Sequence, residues 1–206
     1  FVMPATDPVN PNVHPLIYRW NAILGQSQAA ALEAEGKSGI IHNATYTNFW
    51  QGALAWAGWW HNQIGLLTEV ASVRVATPIT QARATVRNLL PPDPATRDAS
   101  LDAVVPGLAQ LGAPVDTTPR TEYPRPWMGG RWTLRDIVDY QLTSTLALLD
   151  TAADRRETML RQIYEVNRQT VDEGRTGPVT ALLIAPDLQQ DPREAVHLVE
   201  RLQLGG

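Results

Sequence analysis

An apolar run broken by one carboxylate, IGLLTEVASV at residues 64–73, constrains the fold of this chain more than any other stretch. Continuous apolar runs of this kind occur in strands covered on both faces, which places a sheet beneath helices. Carboxylates buried in such strands bind protons more tightly, and persist mainly when paired or when that affinity serves catalysis. Glu69 is therefore a candidate general base, and an ion pair with Arg74 is the plain structural alternative. Just upstream, residues 46–61 hold Tyr46, Phe49, Trp50, Trp56, Trp59, Trp60 and His61, with four of the seven tryptophans among them. So much rigid aromatic surface in one loop either plugs a core or walls a pocket.

Around this centre the pattern alternates. Residues 15–36 predict a helix, with Pro15 at a first helical position and Gly36 near the C-cap. GIIHN (39–43) and residues 64–73 predict strands. TPITQARATVRNLL (77–90) fits neither class clearly. Residues 91–132 form a proline-rich excursion with one short helix near 99–111. A long helical pattern follows, opened by a capping box of Thr133 and Asp136 and broken near DTAADRR. GPVTALLIAPD predicts a buried strand, and DPREAVHLVERLQL a helix with Asp191 as N-cap and Pro192 at its first position. This order predicts an α/β fold, a mixed sheet flanked by helices. Residues 1–172 form one domain part, and 173–206 open a further α/β unit.

Composition narrows function by exclusion. The 206 residues carry a net charge of -4, so nucleic acid and anionic membranes exert no general attraction. Cysteine is absent, which removes disulfides and thiolate metal sites. No stretch approaches the roughly 20 apolar residues of a membrane span. No phosphate loop, dinucleotide fingerprint, nucleophile elbow or His-Glu-x-x-His occurs. The four histidines (14, 42, 61 and 197) are far apart in sequence. The chain opens on a Pro- and Asn-rich stretch without Met and stops just after a helical pattern, which suggests a fragment of a longer polypeptide.

Four segments, DPVNPNVHPLIYRWN, EAEGKSGIIHN, WWHNQIGLLTEVASVR and GGRWTLRDIVDYQL, resemble the zinc carboxypeptidase (carboxypeptidase A-like) family, in particular a large bacterial branch that is usually exported. The resemblance spans most of residues 1–170. It implies a zinc-carboxypeptidase-like, incomplete version of the α/β sheet, a secreted or periplasmic location, and hydrolysis of peptide bonds by a zinc-activated water. Glu69 stands where the family's general base would be, and Tyr46 is the nearest match to its mobile tyrosine. Trp50 and His61 join Tyr46 as candidate substrate-binding groups. The family's His-x-x-Glu pair is absent, so the zinc ligands are expected outside this chain, which alone should be inactive.

A different reading is a non-catalytic module that captures peptide or glycan ends with its aromatic loop. A weaker one recruits metal through His42, His61 and Glu69, whose spacings match no standard site. An incomplete sheet would expose an edge and apolar faces, which predicts a companion chain or self-association. The expected ligand is a peptide.

Overall fold

The computed structural model describes residues 1–50, 52–73, 76–81, 109–111 and 116–205. Two compact units emerge, Phe1–Tyr164 and Glu165–Gly206.

In the first unit, α1 (Pro15–Ala34) is the organising element. Pro15 needs no amide partner at the first helical position, and His14 Nδ1 accepts from the Leu16 amide at 3.2 Å. Ile17, Trp20, Asn21, Leu24, Gly25, Gln28 and Leu32 recur at helical spacing and form its buried face. Residues 1–10 cross this face and run parallel to residues 41–49. The Val2 amide donates to Ile41 (2.9 Å), Thr6 to Tyr46 (3.0 Å) and Asn48 to Thr6 (3.0 Å). Met3 and Ile17 pack there with Ala5, Val13, Trp56 and Trp59 in the main core.

The aromatic loop folds into a single turn, α2 (Leu54–Ala57), followed by a 3-10 turn at Gly58–His61. Trp56 and Trp59 are 1% and 2% exposed, so the two deepest indoles plug the core. The edge of Tyr18 meets the Trp59 ring at 5.0 Å. Three strands of three residues each form one small sheet: β1 (Ile79–Gln81), β2 (Ala109–Leu111) and β3 (Gly130–Trp132). β1 is central, parallel to β2 and antiparallel to β3, with Thr80 opposite Gln110 and Arg131.

Next comes α3 (Leu134–Asp154), which starts at the anticipated cap. Thr133 Oγ1 accepts from the Asp136 amide, and the Asp136 carboxylate accepts from the Thr133 amide at 2.8 Å. α3 lies on α1, and Tyr140 and Thr143 reach Ser38 and Glu35. Arg155 separates it from α4 (Arg156–Thr176), a break at the place DTAADRR marks. Trp20 Nε1 donates to Gln162 Oε1 at 2.6 Å.

The second unit holds the end of α4, an extended segment, a 3-10 turn at Pro186–Leu188 and α5 (Pro192–Gly205). Asp191 accepts from the Arg193 amide at 3.0 Å. The Arg193 guanidinium and amide hold the Asp191 carboxyl below its usual range.

The predicted α/β architecture, a mixed sheet flanked by helices with a further α/β unit opening near the C-terminus, is overturned. Among the described residues the fold is mainly helical, and its sheet is small and peripheral to the core. Residues 39–43, 64–73 and 177–185 run without a strand ladder. An apolar run becomes a strand only when a neighbour supplies a continuous ladder of backbone partners; residues 39–43 find only scattered ones at Val2, Pro4, Glu122 and Arg125, and residues 64–73 one at Phe1. Leu182 and Leu183 are 87% and 92% exposed, opposite to the predicted buried strand. Residues 77–90 and the short helix near 99–111 lie largely outside the described residues, which include 109–111 as β2. Among the described residues no helix is long and apolar enough to cross a membrane.

Candidate functional site

A cavity of about 510 Å³ opens between the N-terminal segment, residues 68–71, β1, β3 and α3. Its aromatic wall consists of Tyr123, Trp127, Trp132 and Tyr140. The Trp127 and Trp132 rings meet edge to face at 5.5 Å, and Trp132 meets Tyr140 at 5.0 Å. Each polar tip of the wall is engaged, which locks ring orientation. Trp127 Nε1 donates to Gln81 Oε1 at 2.9 Å, and Trp132 Nε1 to the Ala71 carbonyl at 2.8 Å. The Trp127 amide donates to Tyr123 Oη at 2.8 Å, and Tyr140 Oη donates to the Ser38 carbonyl at 3.0 Å. Val2, Leu32 and Ile40, a second buried cluster, also line the cavity.

Glu69 lines the same cavity. Its amide donates to the Phe1 carbonyl at 3.2 Å and its carbonyl accepts from the Phe1 amine at 2.7 Å. Burial lowers the pKa of that amine, and attraction to Glu69 opposes the shift. Two residues further on, Ala71 is the acceptor that Trp132 holds. The aromatic wall thus anchors the stretch that presents the carboxylate. Glu69 is exposed rather than buried in a strand. Residues 64–73 are half-buried or exposed throughout, so the burial expected of this carboxylate is absent. Arg74, the alternative ion-pair partner, lies outside the described residues.

The other anticipated site residues stand elsewhere. Tyr46 is 40% exposed with its backbone at φ +59°, its carbonyl held by the Thr6 amide and hydroxyl. Its ring packs on Phe1 and Trp56 at 5.5 and 5.7 Å. Trp50 is 51% exposed, and His61 is exposed in the 3-10 turn. None of the three lines the cavity.

Trp127, Trp132 and Tyr140 were not singled out from the sequence. A signal existed: two tryptophans bracket the MGG of residues 128–130, where Gly129 and Gly130 take φ of +88° and +131° and reverse the chain. Gly39, at φ +82°, lets the wall come close, because a Cβ there would stand 3.2 Å from Trp127 Cβ.

Among the described residues no group of three or more His, Asp or Glu side chains could hold a metal ion. His42, His61 and Glu69 are not brought together, and the residues present do not fit a zinc site. No family model, curated protein or solved structure matches this chain. Among the described residues the cavity lining includes no Lys, Arg or His side chain, and the charged side chain there is the Glu69 carboxylate. Such a site suits an apolar or aromatic group with a polar, uncharged or cationic neighbour.

Proposed function

We propose that this chain supplies the general base and one pocket wall of a peptide-hydrolysing site of carboxypeptidase type, with its zinc ligands contributed from outside these 206 residues. The observation that carries the reading is that Glu69 lines a cavity of about 510 Å³ walled by Trp127, Trp132 and Tyr140. The resemblance of LLTEVAS to the segment bearing that family's base points to the same residue. In this role Glu69 takes a proton from the attacking water and passes it to the leaving amine, while the aromatic wall orients an apolar side chain of the peptide. An exposed carboxylate at a cavity edge has access to water, as a base needs.

The test is Glu69→Gln in the protein that also carries the zinc-binding part. Turnover of a blocked peptide is expected to fall about 10²-fold or more with little change in KM. An unchanged kcat rejects the assignment. A second reading, a non-catalytic module that holds peptide or glycan ends, is favoured by the rigid aromatic wall of Trp127, Trp132 and Tyr140. It predicts ligand binding that survives Glu69→Gln with no hydrolysis in either protein.

A further inference from the structure

Two buried hydroxyl groups in the cavity lining carry protons that find no acceptor among the described residues. Ser144 is 7% exposed and Tyr123 9% exposed, and both line the cavity of about 510 Å³. Within helices a serine or threonine hydroxyl can donate to the carbonyl four residues back. Thr143, Thr170 and Thr176 do so at 2.9, 3.0 and 2.8 Å. Ser144, the immediate neighbour of Thr143 in α3, does not, and its Oγ has no other partner among the described residues. Tyr123 Oη accepts from the Trp127 amide at 2.8 Å, which uses one lone pair and leaves the proton to donate.

These two donors restrict what can fill the space. An occupant that displaces water from them has to offer oxygen acceptors in return, and a wholly apolar one leaves both hydroxyls unpaired. Anionic acceptors suit the site poorly, because Glu69 is the charged side chain among the described lining residues. Neutral oxygen remains. Gln141 and Thr145 stand at helical spacing from Ser144 and Tyr140 on α3, and both line the cavity without a charge. Trp127, Trp132 and Tyr140 supply ring faces in the same lining. A pyranose ring answers both demands: its C–H face stacks on an aromatic ring, and hydroxyls that donate and accept surround its edge. A peptide presents single carbonyls spaced along its chain, which fits several hydroxyl and amide groups around one small aromatic wall less well.

We propose that the cavity binds a neutral pyranoside, stacked on the aromatic wall and hydrogen-bonded by Ser144 and Tyr123. The proposal rests on the reading of this chain as a non-catalytic module that holds peptide or glycan ends, and it narrows the ligand to a saccharide. Ser144 separates recognition from folding, because its hydroxyl contributes no bond within the described structure.

Titration calorimetry of the purified chain with cellotriose, maltotriose, mannotriose and triacetylchitotriose tests it, with blocked trialanine as the peptide comparison. At least one trisaccharide should bind saturably and more tightly than the peptide. Ser144→Ala should weaken that binding about tenfold by withdrawing one hydrogen bond. Its melting temperature should stay the same or rise, since alanine is the better helix former and the native hydroxyl has no partner to lose. Thr143→Val, next to it but outside the cavity lining, should leave sugar binding unchanged. A peptide that binds where no trisaccharide does would overturn the proposal and leave a peptide-holding module standing, whereas binding of neither would overturn both. A trisaccharide held equally well by Ser144→Ala would place the sugar elsewhere and overturn the proposal. So would a loss of binding matched by a loss of melting temperature, which would make Ser144 a structural residue.

Discussion

Asn21 Nδ2 donates to the Gly65 carbonyl oxygen at 2.8 Å and so ties the buried face of α1 to the segment that ends in Glu69. Trp59 Nε1 donates to the same oxygen, also at 2.8 Å. One acceptor therefore joins helix, aromatic turn and site segment. Asn21→Ala removes a buried donor and is expected to cost about 1–3 kcal/mol in urea unfolding. Asn21→Asp should cost more, because it sets a carboxylate oxygen near a carbonyl oxygen. Gly65→Ala should be worse than Asn21→Ala, since its Cβ would stand 1.9 Å from the Ala55 carbonyl oxygen. An Asn21→Asp protein as stable as the parent would remove this junction from the account of the fold.

The same junction shows what was legible in the sequence. Helices with local signals were readable: Pro15 at the start of α1, the Thr133–Asp136 box, the break beside Arg155 and the Asp191 cap all appear where the pattern puts them. Each depends on residues within a few positions of one another. The strands at 39–43, 64–73 and 177–187 were misread because a strand is a relation between segments, and an apolar run does not name its partner. Residues 64–73 find Asn21, Trp59 and Trp132 instead of a ladder. Glu69 was picked for a burial that it lacks, yet it lines the cavity. The aromatic wall was missed because Trp127 and Trp132 sit in a proline-rich stretch and meet Tyr140 only through the fold.

Two helical glycines should respond to alanine with opposite signs. At Gly25 an added Cβ would lie 2.2 Å from the Met3 carbonyl oxygen, which also accepts from Gln26 Nε2 at 3.0 Å. Met3 is fully buried, so the N-terminal segment cannot withdraw without opening the core. Gly25→Ala is expected to destabilise by about 1–3 kcal/mol or more. At Gly174 in α4 nothing lies within 4 Å, and alanine should stabilise that helix by about 0.5–1 kcal/mol through lower backbone entropy in the unfolded chain. Thermal unfolding of the two variants decides it. A neutral Gly25→Ala would mean that the close approach of residues 1–10 to α1 is absent in solution.

The cavity and the aromatic loop can be separated by binding. Titration calorimetry with a blocked dipeptide ending in phenylalanine should give about tenfold weaker binding for Trp127→Ala or Trp132→Ala, which remove ring contacts from the wall. Trp50→Ala, His61→Ala and Tyr46→Phe should stay within about twofold, because those side chains stand outside the cavity. The reverse ranking would move the ligand to residues 46–61 and restore the loop as the binding surface.

Glu35 predicts a pH dependence of the α1–α3 contact. Its carboxylate accepts from Lys37 Nζ and, at 2.9 Å, from Thr143 Oγ1, and these bonds, the Lys37 one foremost, lower its pKa. In the unfolded chain the group returns to the ordinary glutamate value near about 4.3. Because the folded value is the lower one, the unfolded state binds more protons in the interval between them, and stability rises with pH there. The contribution is therefore complete above the ordinary value and fades as pH falls through the folded one. Glu35→Gln should lower the melting temperature slightly near pH 6, and the difference from the parent should close as the pH is brought to about 3. The effect is small because the carboxylate is solvent-exposed and salt screens it. Thr143→Val should reproduce part of it. A melting-temperature difference that widened on acidification would reverse the sign and rule out Glu35 as an ionised acceptor between the two helices.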